Sequence, residues 1–128
     1  MHKSKKSLSL ITTPIQIPLA KANVRHKSLL AGPHQTRFLR SGQVTLAAGD
    51  SISLHSTLEE DELIIPLSGS GQLTVPEMEP LPVEAGSVLY NPPRTWHRVS
   101  NTRNKPLVYL YVCALPPDDT NGVKSSNM

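Results

Sequence analysis

Two histidines and a run of carboxylates are the residues of this sequence best suited to chemistry. One residue separates His55 from Thr57, four consecutive acidic residues follow at 59–62, and His97 comes later in the chain. Alternate residues of a β-strand share a face, so His55 and Thr57 are expected to point the same way. If one carboxylate and His97 return to that face, two imidazoles and one carboxylate can hold a metal ion. This ligand set suits non-haem Fe(II), with Mn, Ni, Cu and Zn as alternatives.

Short strands must position these side chains, because turn-forming residues interrupt the chain too often for long helices. The sequence has 12 prolines and 7 glycines, with apolar or β-branched runs between them. The runs cover residues 43–46, 51–57, 63–67, 71–75, 87–90, 97–100 and 107–114. Short strands at near-regular spacing predict an all-β sandwich or barrel.

Length and cysteine content restrict the class of protein. The 128 residues are enough for one domain with its own core and too few for two. The single cysteine, Cys113, excludes an internal disulfide and a Cys-based zinc site, and it fits a reducing cytoplasm. No apolar run is long enough to span a membrane, so no membrane partner is expected. We expect a domain over 11–115, a disordered basic tail at 1–10 and a disordered tail at 116–128.

Basic residues are concentrated in the first part of the chain. The net charge is +3, but residues 1–49 carry eight Lys or Arg and no Asp or Glu. Such a skew is compatible with nucleic-acid binding. Beyond residue 6, however, the cations are spread singly, and one Phe, one Trp and three Tyr offer few surfaces for stacking bases. A solvated basic tail explains the skew better, and no nucleic-acid partner is expected.

Two segments resemble the two signature motifs of the cupin superfamily. The first runs Gly-x5-His-x-Thr-x4-Glu-x6-Gly over 49–69, and the second runs Gly-x5-Pro-x-Arg-x2-His-x3-Asn over 86–101. The family pattern has His at the position of Thr57 and Gly at the position of Arg94. The resemblance implies an all-β, single-domain jelly-roll barrel of the compact cupin type, and the flanking strands extend it to most of the chain.

The same resemblance implies a metal site. Among the four consecutive acidic residues, only Glu62 keeps the family spacings to Thr57 and to the next motif glycine. The implied cofactor is one divalent transition metal ion, with iron preferred, held by His55, Glu62 and His97. Because the family's second motif-one His is replaced, a position would stay open for water or substrate, and Thr57 is a candidate for bonding that water. The alternative is a barrel without metal, in which the same side chains hydrogen-bond one another.

Further residues are candidates for contact with a small-molecule substrate. By analogy with cupins, Tyr90 is expected to line the cavity. Tyr109 shares a face of the last strand with Tyr111, and it is a candidate acid or base if that face points inward. Arg94, Arg37 and Arg40 are candidates for anchoring a substrate carboxylate. Packing tyrosines and solvated arginines are the alternatives at these positions.

Three functions remain open at this point. The first is a metal-dependent enzyme of the Fe(II) oxygenase type, which the open ligand set favours. The second is a non-redox lyase, isomerase or cyclase in which the ion acts as a Lewis acid. The third is a non-catalytic cupin that binds or senses a small ligand, which Thr57 favours. A shared fold does not decide among them, because one scaffold hosts many chemistries.

A homodimer is the expected assembly. If the polar face of 51–57 points inward, then Ile52, Leu54 and Trp96 point outward, and exposing apolar area costs roughly 25 cal/mol per Å². We expect a second copy to cover this patch, with the arm at 11–19 crossing over, as cupin dimers commonly do. Light scattering at micromolar concentration should give twice the mass of the chain, and the mass of a monomer would contradict this prediction.

Overall fold

A computed structural model of the protein describes residues 10–21 and 23–117. This part of the chain forms nine β-strands and contains no helix, so it has none with the length and apolarity needed to cross a bilayer. The all-β prediction is confirmed. The predicted disordered tails lie outside the described residues, apart from residue 10 and residues 116–117. The strands are β1 (His26–Leu30), β2 (Leu39–Leu46), β3 (His55–Ser56), β4 (Asp61–Ser68), β5 (Ser70–Thr74), β6 (Leu81–Glu84), β7 (Leu89–Asn91), β8 (Trp96–Ser100) and β9 (Leu107–Ala114).

The strands form two antiparallel sheets. The larger has the order β1-β2-β9-β4-β7, and the smaller has the order β3-β8-β5-β6. Strand β9 is central to the larger sheet, because it pairs along its whole length with β2 on one side and over residues 108–114 with β4 on the other. Most strands that pair within a sheet are distant from each other in sequence, so the chain repeatedly crosses between the two sheets.

The apolar core lies between the sheets and takes side chains from both. Period-two alternation selects them: on β9, residues 107, 109 and 113 are buried, and the residues between them are partly exposed. Burial of these side chains stabilises the fold at roughly 25 cal/mol per Å² of apolar area. The most deeply buried apolar side chains are Leu46, Ile64 and Leu107 of the larger sheet and Leu73, Val83 and Val99 of the smaller sheet.

The prediction of one continuous strand over 51–57 is wrong. Only His55–Ser56 are in a strand, and the residues just before them leave the regular extended pattern. Without strict alternation, Ile52 packs against the core, whereas Leu54 is 42% exposed. The predicted outer apolar patch therefore loses Ile52 and keeps Leu54 and Trp96. The homodimer itself stays a prediction.

The N-terminal arm contacts its own chain. The buried side chain of Gln43 in β2 accepts the Ala20 N–H at 2.6 Å and donates to the Ala20 carbonyl at 3.3 Å. Nearby, the Lys27 ammonium donates to the carbonyl of Pro18 at 2.8 Å. The Ile11 N–H also donates to the carbonyl of Gln35 at 3.2 Å, so both ends of the arm lie against their own chain. The crossing predicted for 11–19 stays a prediction.

Close strand approach gives a test of the packing. A Cβ atom at Gly71 would lie 2.2 Å from the carbonyl oxygen of Ser100, whereas a Cβ at Gly49 would meet no atom within 4 Å. We expect Gly71→Ala to lower the free energy of unfolding by about 2–3 kcal/mol, as overpacking does. Gly49→Ala should cost only about 1 kcal/mol, for its left-handed backbone. Urea unfolding measures both, and equal losses would contradict the packing described here.

Candidate functional site

A cavity of about 280 Å³ lies between the two sheets. Its aliphatic walls come from residues adjoining the core, and it is large enough for a small molecule but not for an extended one. All three residues predicted to bind metal contribute to its surface. The polar lining consists of His26, Arg40, His55, Glu62, His97, Tyr109 and Tyr111.

Two of these residues, His55 and His97, are direct neighbours on paired strands. Strand β3 runs antiparallel to β8, and the two histidines are opposite each other in the register. Their ring centroids are 4.4 Å apart. Opposite residues of an antiparallel pair project to the same side of the sheet, which is why both imidazoles reach the cavity.

Each imidazole is held by the backbone carbonyl two residues before it. The Nδ1 atom of His55 lies 2.8 Å from the oxygen of Ser53, and Nδ1 of His97 lies 3.0 Å from the oxygen of Thr95. A carbonyl oxygen only accepts, so Nδ1 carries a hydrogen in both rings. Nε2 is then the atom left for another partner, and metalloproteins orient histidine ligands in this way.

Glu62 is brought from the other sheet to the Nε2 atom of His97. The distance from His97 Nε2 to Glu62 Oε1 is 3.0 Å, and the side-chain exposures are 1% and 10%. Asn91, opposite Glu62 on β7, donates its Nδ2–H to the same oxygen at 3.0 Å. Because Nδ1 donates to Thr95 O, one proton is shared between Nε2 and Glu62 Oε1, and the raised pKa of His97 with the lowered pKa of Glu62 favours the ion pair.

Burial and hydrogen bonding act in opposite directions on this ion pair. Burial disfavours both charges, but the bond to Glu62 and the bond to Thr95 outweigh it and raise the pKa of His97. Burial also raises the pKa of Glu62, but the bond from His97, the charge of His97 and the bond from Asn91 together outweigh burial and lower this pKa. Burial, and then the charge of Glu62, raise the pKa of Cys113 to about 12 and raise that of Tyr109 as well. The thiol and the phenol therefore stay neutral near the carboxylate.

Two imidazole nitrogens and a carboxylate oxygen are suitable ligands for a metal ion, but the three side chains do not form a complete ligand cluster in this structure. Within 10–21 and 23–117, no three His, Cys, Asp or Glu side chains are grouped closely enough to hold an ion. The 3.0 Å between His97 Nε2 and Glu62 Oε1 matches two adjacent ligands, each about 2.1 Å from one ion at a right angle. The third donor, His55, has to approach this pair, and an ion would have to displace the proton that the pair shares.

Thr57 does not face the cavity, which contradicts the predicted contact with a metal-bound water. Its side chain is buried, and Oγ1 donates to the carbonyl of Pro92 at 2.9 Å. The same oxygen accepts the N–H of Thr95 at 3.3 Å. The hydroxyl hydrogen is therefore directed to the backbone of the turn before β8 and not to the site.

Three predicted substrate-binding residues also lie outside the cavity. Tyr90 is 54% exposed on the outer side of β7, because its strand neighbours take the inward positions, and its hydroxyl donates to Asp61. Arg94 pairs with Glu59 at 2.6 Å on the surface. Arg37 precedes β2 and lines a separate surface pocket. None of the three is positioned to touch a molecule in the cavity.

Tyr109 and Arg40, both candidates from the sequence, line the cavity, and so does His26, which sequence reasoning missed. His26 comes from β1, a strand that the sequence pattern did not predict, and its Nε2 lies 2.7 Å from the hydroxyl of Tyr111. The Arg40 guanidinium lies 5.7 Å from the centre of the Tyr111 ring and pairs with Glu60 at 2.7 Å. The sequence indicated Tyr111 through the strand face that it shares with Tyr109. Nothing in the sequence singled out His26.

The ion pair gives the metal-free protein a specific pH dependence. Since the pKa of His97 is raised, its contribution to stability is complete below its ordinary value of 6.5 and is lost as pH rises through the folded-state value. Since the pKa of Glu62 is lowered, its contribution is complete above 4.5 and is lost as pH falls through the folded-state value. With chelator present, the free energy of unfolding should be higher for the wild type than for Glu62→Gln. This difference should be largest between pH 4.5 and 6.5.

Urea unfolding from pH 4 to 9 measures this difference. Glu84→Gln, which removes an exposed carboxylate from β6, is the matched control and should follow the wild-type curve. A difference between wild type and Glu62→Gln that grows steadily above pH 6.5 would contradict the ion pair.

Solved structures of known proteins share this fold. A predicted oxalate decarboxylase from Thermotoga maritima is 27% identical, with a TM-score of 0.65 over 71% of this chain and 79% of its own. An RmlC-like cupin family protein with a double-stranded β-helix fold, from Methanocaldococcus jannaschii, is 18% identical. Its TM-score is 0.68, over 87% of this chain and 100% of that protein's chain. The predicted jelly-roll architecture is confirmed.

Sequence comparison gives the family. An uncharacterised protein of Methanocaldococcus jannaschii is 32% identical over 75 residues, which are 59% of this chain and 58% of the relative's length. The present chain thus matches well under two thirds of that relative. The cupin domain pattern matches residues 42–113, more than half of the chain and a range that includes every predicted metal ligand. The protein belongs to the cupin domain family.

Proposed function

We propose that this cupin is a metal-dependent enzyme that acts on a small molecule in the cavity between its sheets. The proposed ligands of one divalent transition metal ion are His55, Glu62 and His97. The orientation of the two imidazoles carries the proposal: backbone carbonyls hold both Nδ1 atoms, so Nε2 is the ligand atom that each ring offers, and in the metal-free protein Nε2 of His97 bonds to the third proposed ligand, Glu62.

The ligand set favours an oxygenase. Two imidazoles and one carboxylate with open positions are the set used by non-haem Fe(II) oxygenases. The Thr57 hydroxyl bonds to the backbone and adds no fourth ligand, so positions for substrate and O2 would remain. A bound ferrous ion would supply the electrons for oxygen chemistry, whereas Mn, Ni, Cu and Zn are the alternative ions.

The chain's own groups can orient a polar substrate and move a proton. The Tyr111 hydroxyl and His26 Nε2, 2.7 Å apart, form a pair that can exchange a proton with a bound molecule. Tyr109 stays a neutral donor because burial and the charge of Glu62 raise its pKa. Arg40, fixed by its pair with Glu60, holds a positive charge at the cavity wall. Together these groups suit a small substrate that carries oxygen atoms.

One comparison favours a second candidate, a non-redox lyase. The Thermotoga maritima protein, 27% identical to this chain, is described as a predicted oxalate decarboxylase. For a lyase, the metal would act as a Lewis acid, and a proton donor would be needed at the carbon that loses its substituent. The hydrogen-bonded Tyr111 and His26 pair is the donor that the cavity offers.

Metal content tests the proposed centre. Protein purified without chelator and loaded with Fe(II) under anaerobic conditions should hold about one ion per chain by elemental mass spectrometry. His55→Ala should lose most of this metal and remain folded, because His55 is an exposed ligand. His34→Ala, which removes an exposed histidine outside the cavity, is the matched control and should retain it. Equal metal in both variants, or none in the wild type, would contradict the proposal.

Oxygen dependence separates the two candidate reactions. An oxygen electrode and product analysis, applied to a panel of small carboxylic acids, should show uptake of O2 that depends on both metal and substrate. Turnover of the metal-loaded protein without O2 would contradict the oxygenase and support the lyase. A metal-free protein that binds a small ligand without turnover would contradict both and leave a binding cupin.

A further inference from the structure

Thr57 joins the two loops that hold the site histidines. It follows β3, and its hydroxyl reaches the turn that leads into β8. There Oγ1 donates to the carbonyl of Pro92 at 2.9 Å and accepts the N–H of Thr95 at 3.3 Å. The residue is only 6% exposed, so water cannot readily replace either bond.

The backbone of Thr95 connects this hydroxyl to the site. The N–H group of Thr95 bonds to Thr57, and its carbonyl oxygen lies 3.0 Å from Nδ1 of His97. The position of that carbonyl sets the orientation of the imidazole. The direction of Nε2 toward Glu62 therefore depends on Thr95, and Thr95 depends on the Thr57 hydroxyl.

Two neighbouring contacts join the same loops without reaching an imidazole. The Arg94 N–H donates to the carbonyl of Leu58 at 2.6 Å, and the Arg94 guanidinium pairs with Glu59 on the surface. Leu58 and Arg94 have φ values of +54° and +56°, in the left-handed region that non-glycine residues rarely adopt. Such a backbone persists only where the surrounding structure fixes it. The loops are thus held in one arrangement despite strain in both.

We propose that Thr57 is a positioning residue for the candidate metal centre: its hydroxyl fixes the turn before β8 and so aims Nε2 of His97 at the ligand position. The residue occupies the motif position where the family pattern has a histidine, but here it supports a ligand through the backbone instead of supplying one. The effect on metal affinity rests on the proposed function. The effect on His97 applies equally to the metal-free protein.

Three variants separate this role from simple packing. Thr57→Val keeps the shape and removes the hydroxyl, whereas Thr57→Ser keeps the hydroxyl and removes the methyl group. Ser56→Ala is the matched control, because it removes a hydroxyl that accepts the Leu58 N–H within the first loop and makes no bond to the turn before β8. A packing role predicts that valine is tolerated better than serine at position 57, and a positioning role predicts the reverse.

Imidazole nitrogen NMR of the metal-free variants is the first measurement. Thr57→Val should change the Nδ1 and Nε2 shifts of His97 and weaken its hydrogen-bonded Nδ1–H signal, while Thr57→Ser and Ser56→Ala keep the wild-type signals. Unchanged His97 signals in a folded Thr57→Val protein would overturn the inference. If Thr57→Val does not fold, Thr57→Cys, with a weakly hydrogen-bonding thiol, takes its place in the comparison with Thr57→Ser.

Co(II) titration, followed by visible absorption, is the second measurement. Thr57→Val should weaken Co(II) binding about 10- to 100-fold, the usual effect of losing a group that orients a ligand. Thr57→Ser and Ser56→Ala should bind Co(II) like the wild type, and wild-type affinity in Thr57→Val would overturn the inference. If the wild type itself binds no Co(II), the proposed metal centre fails, and the NMR comparison alone decides the role of Thr57.

Discussion

The hydrogen-bonded ion pair between Glu62 and His97 is the constraint on which the interior of this protein depends. Glu62 belongs to the five-stranded sheet and His97 to the four-stranded sheet, so their bond joins the two halves of the barrel. A charged pair in this position is tolerable only if its remaining polar atoms are also bonded. The amide of Asn91 and the carbonyl of Thr95 meet that requirement. Removing one partner would leave an uncompensated charge between the sheets.

The strands that build the core also build the site. On β4, Glu62 and Ile64 are two residues apart and face the same interior; on β8, His97 and Val99 have the same relation. One face of each strand is therefore polar at one end and apolar at the other. Because the apolar ends are packed tightly, they hold the polar ends at fixed separations, which is the rigid support that a binding or catalytic site needs.

Sequence spacing was sufficient for the fold class and for placing His55, Glu62 and His97 at one cavity, because strand periodicity fixes which side chains share a face. It failed where the chain leaves that periodicity. Ile52 packs against the core because regular strand alternation is interrupted around it. Strand β6 was not predicted because it contains Pro82, and proline is uncommon inside strands. It also failed for hydrogen bonds: nothing in the spacing indicates that Thr57 bonds to a neighbouring turn, or that Asn91 bonds to the site carboxylate.

The shortness of β3 has a consequence for access to the interior. This strand is at the edge of its sheet, has only two residues and pairs with β8 alone. Segments with so few backbone bonds open locally at much lower free energy than the strands around them. Fraying of this edge would carry His55 outward and uncover the cavity, while the central ladders stayed intact. Access to the cavity at this edge would then depend on the bonds that hold the residue after β3, the two made by the Thr57 hydroxyl among them.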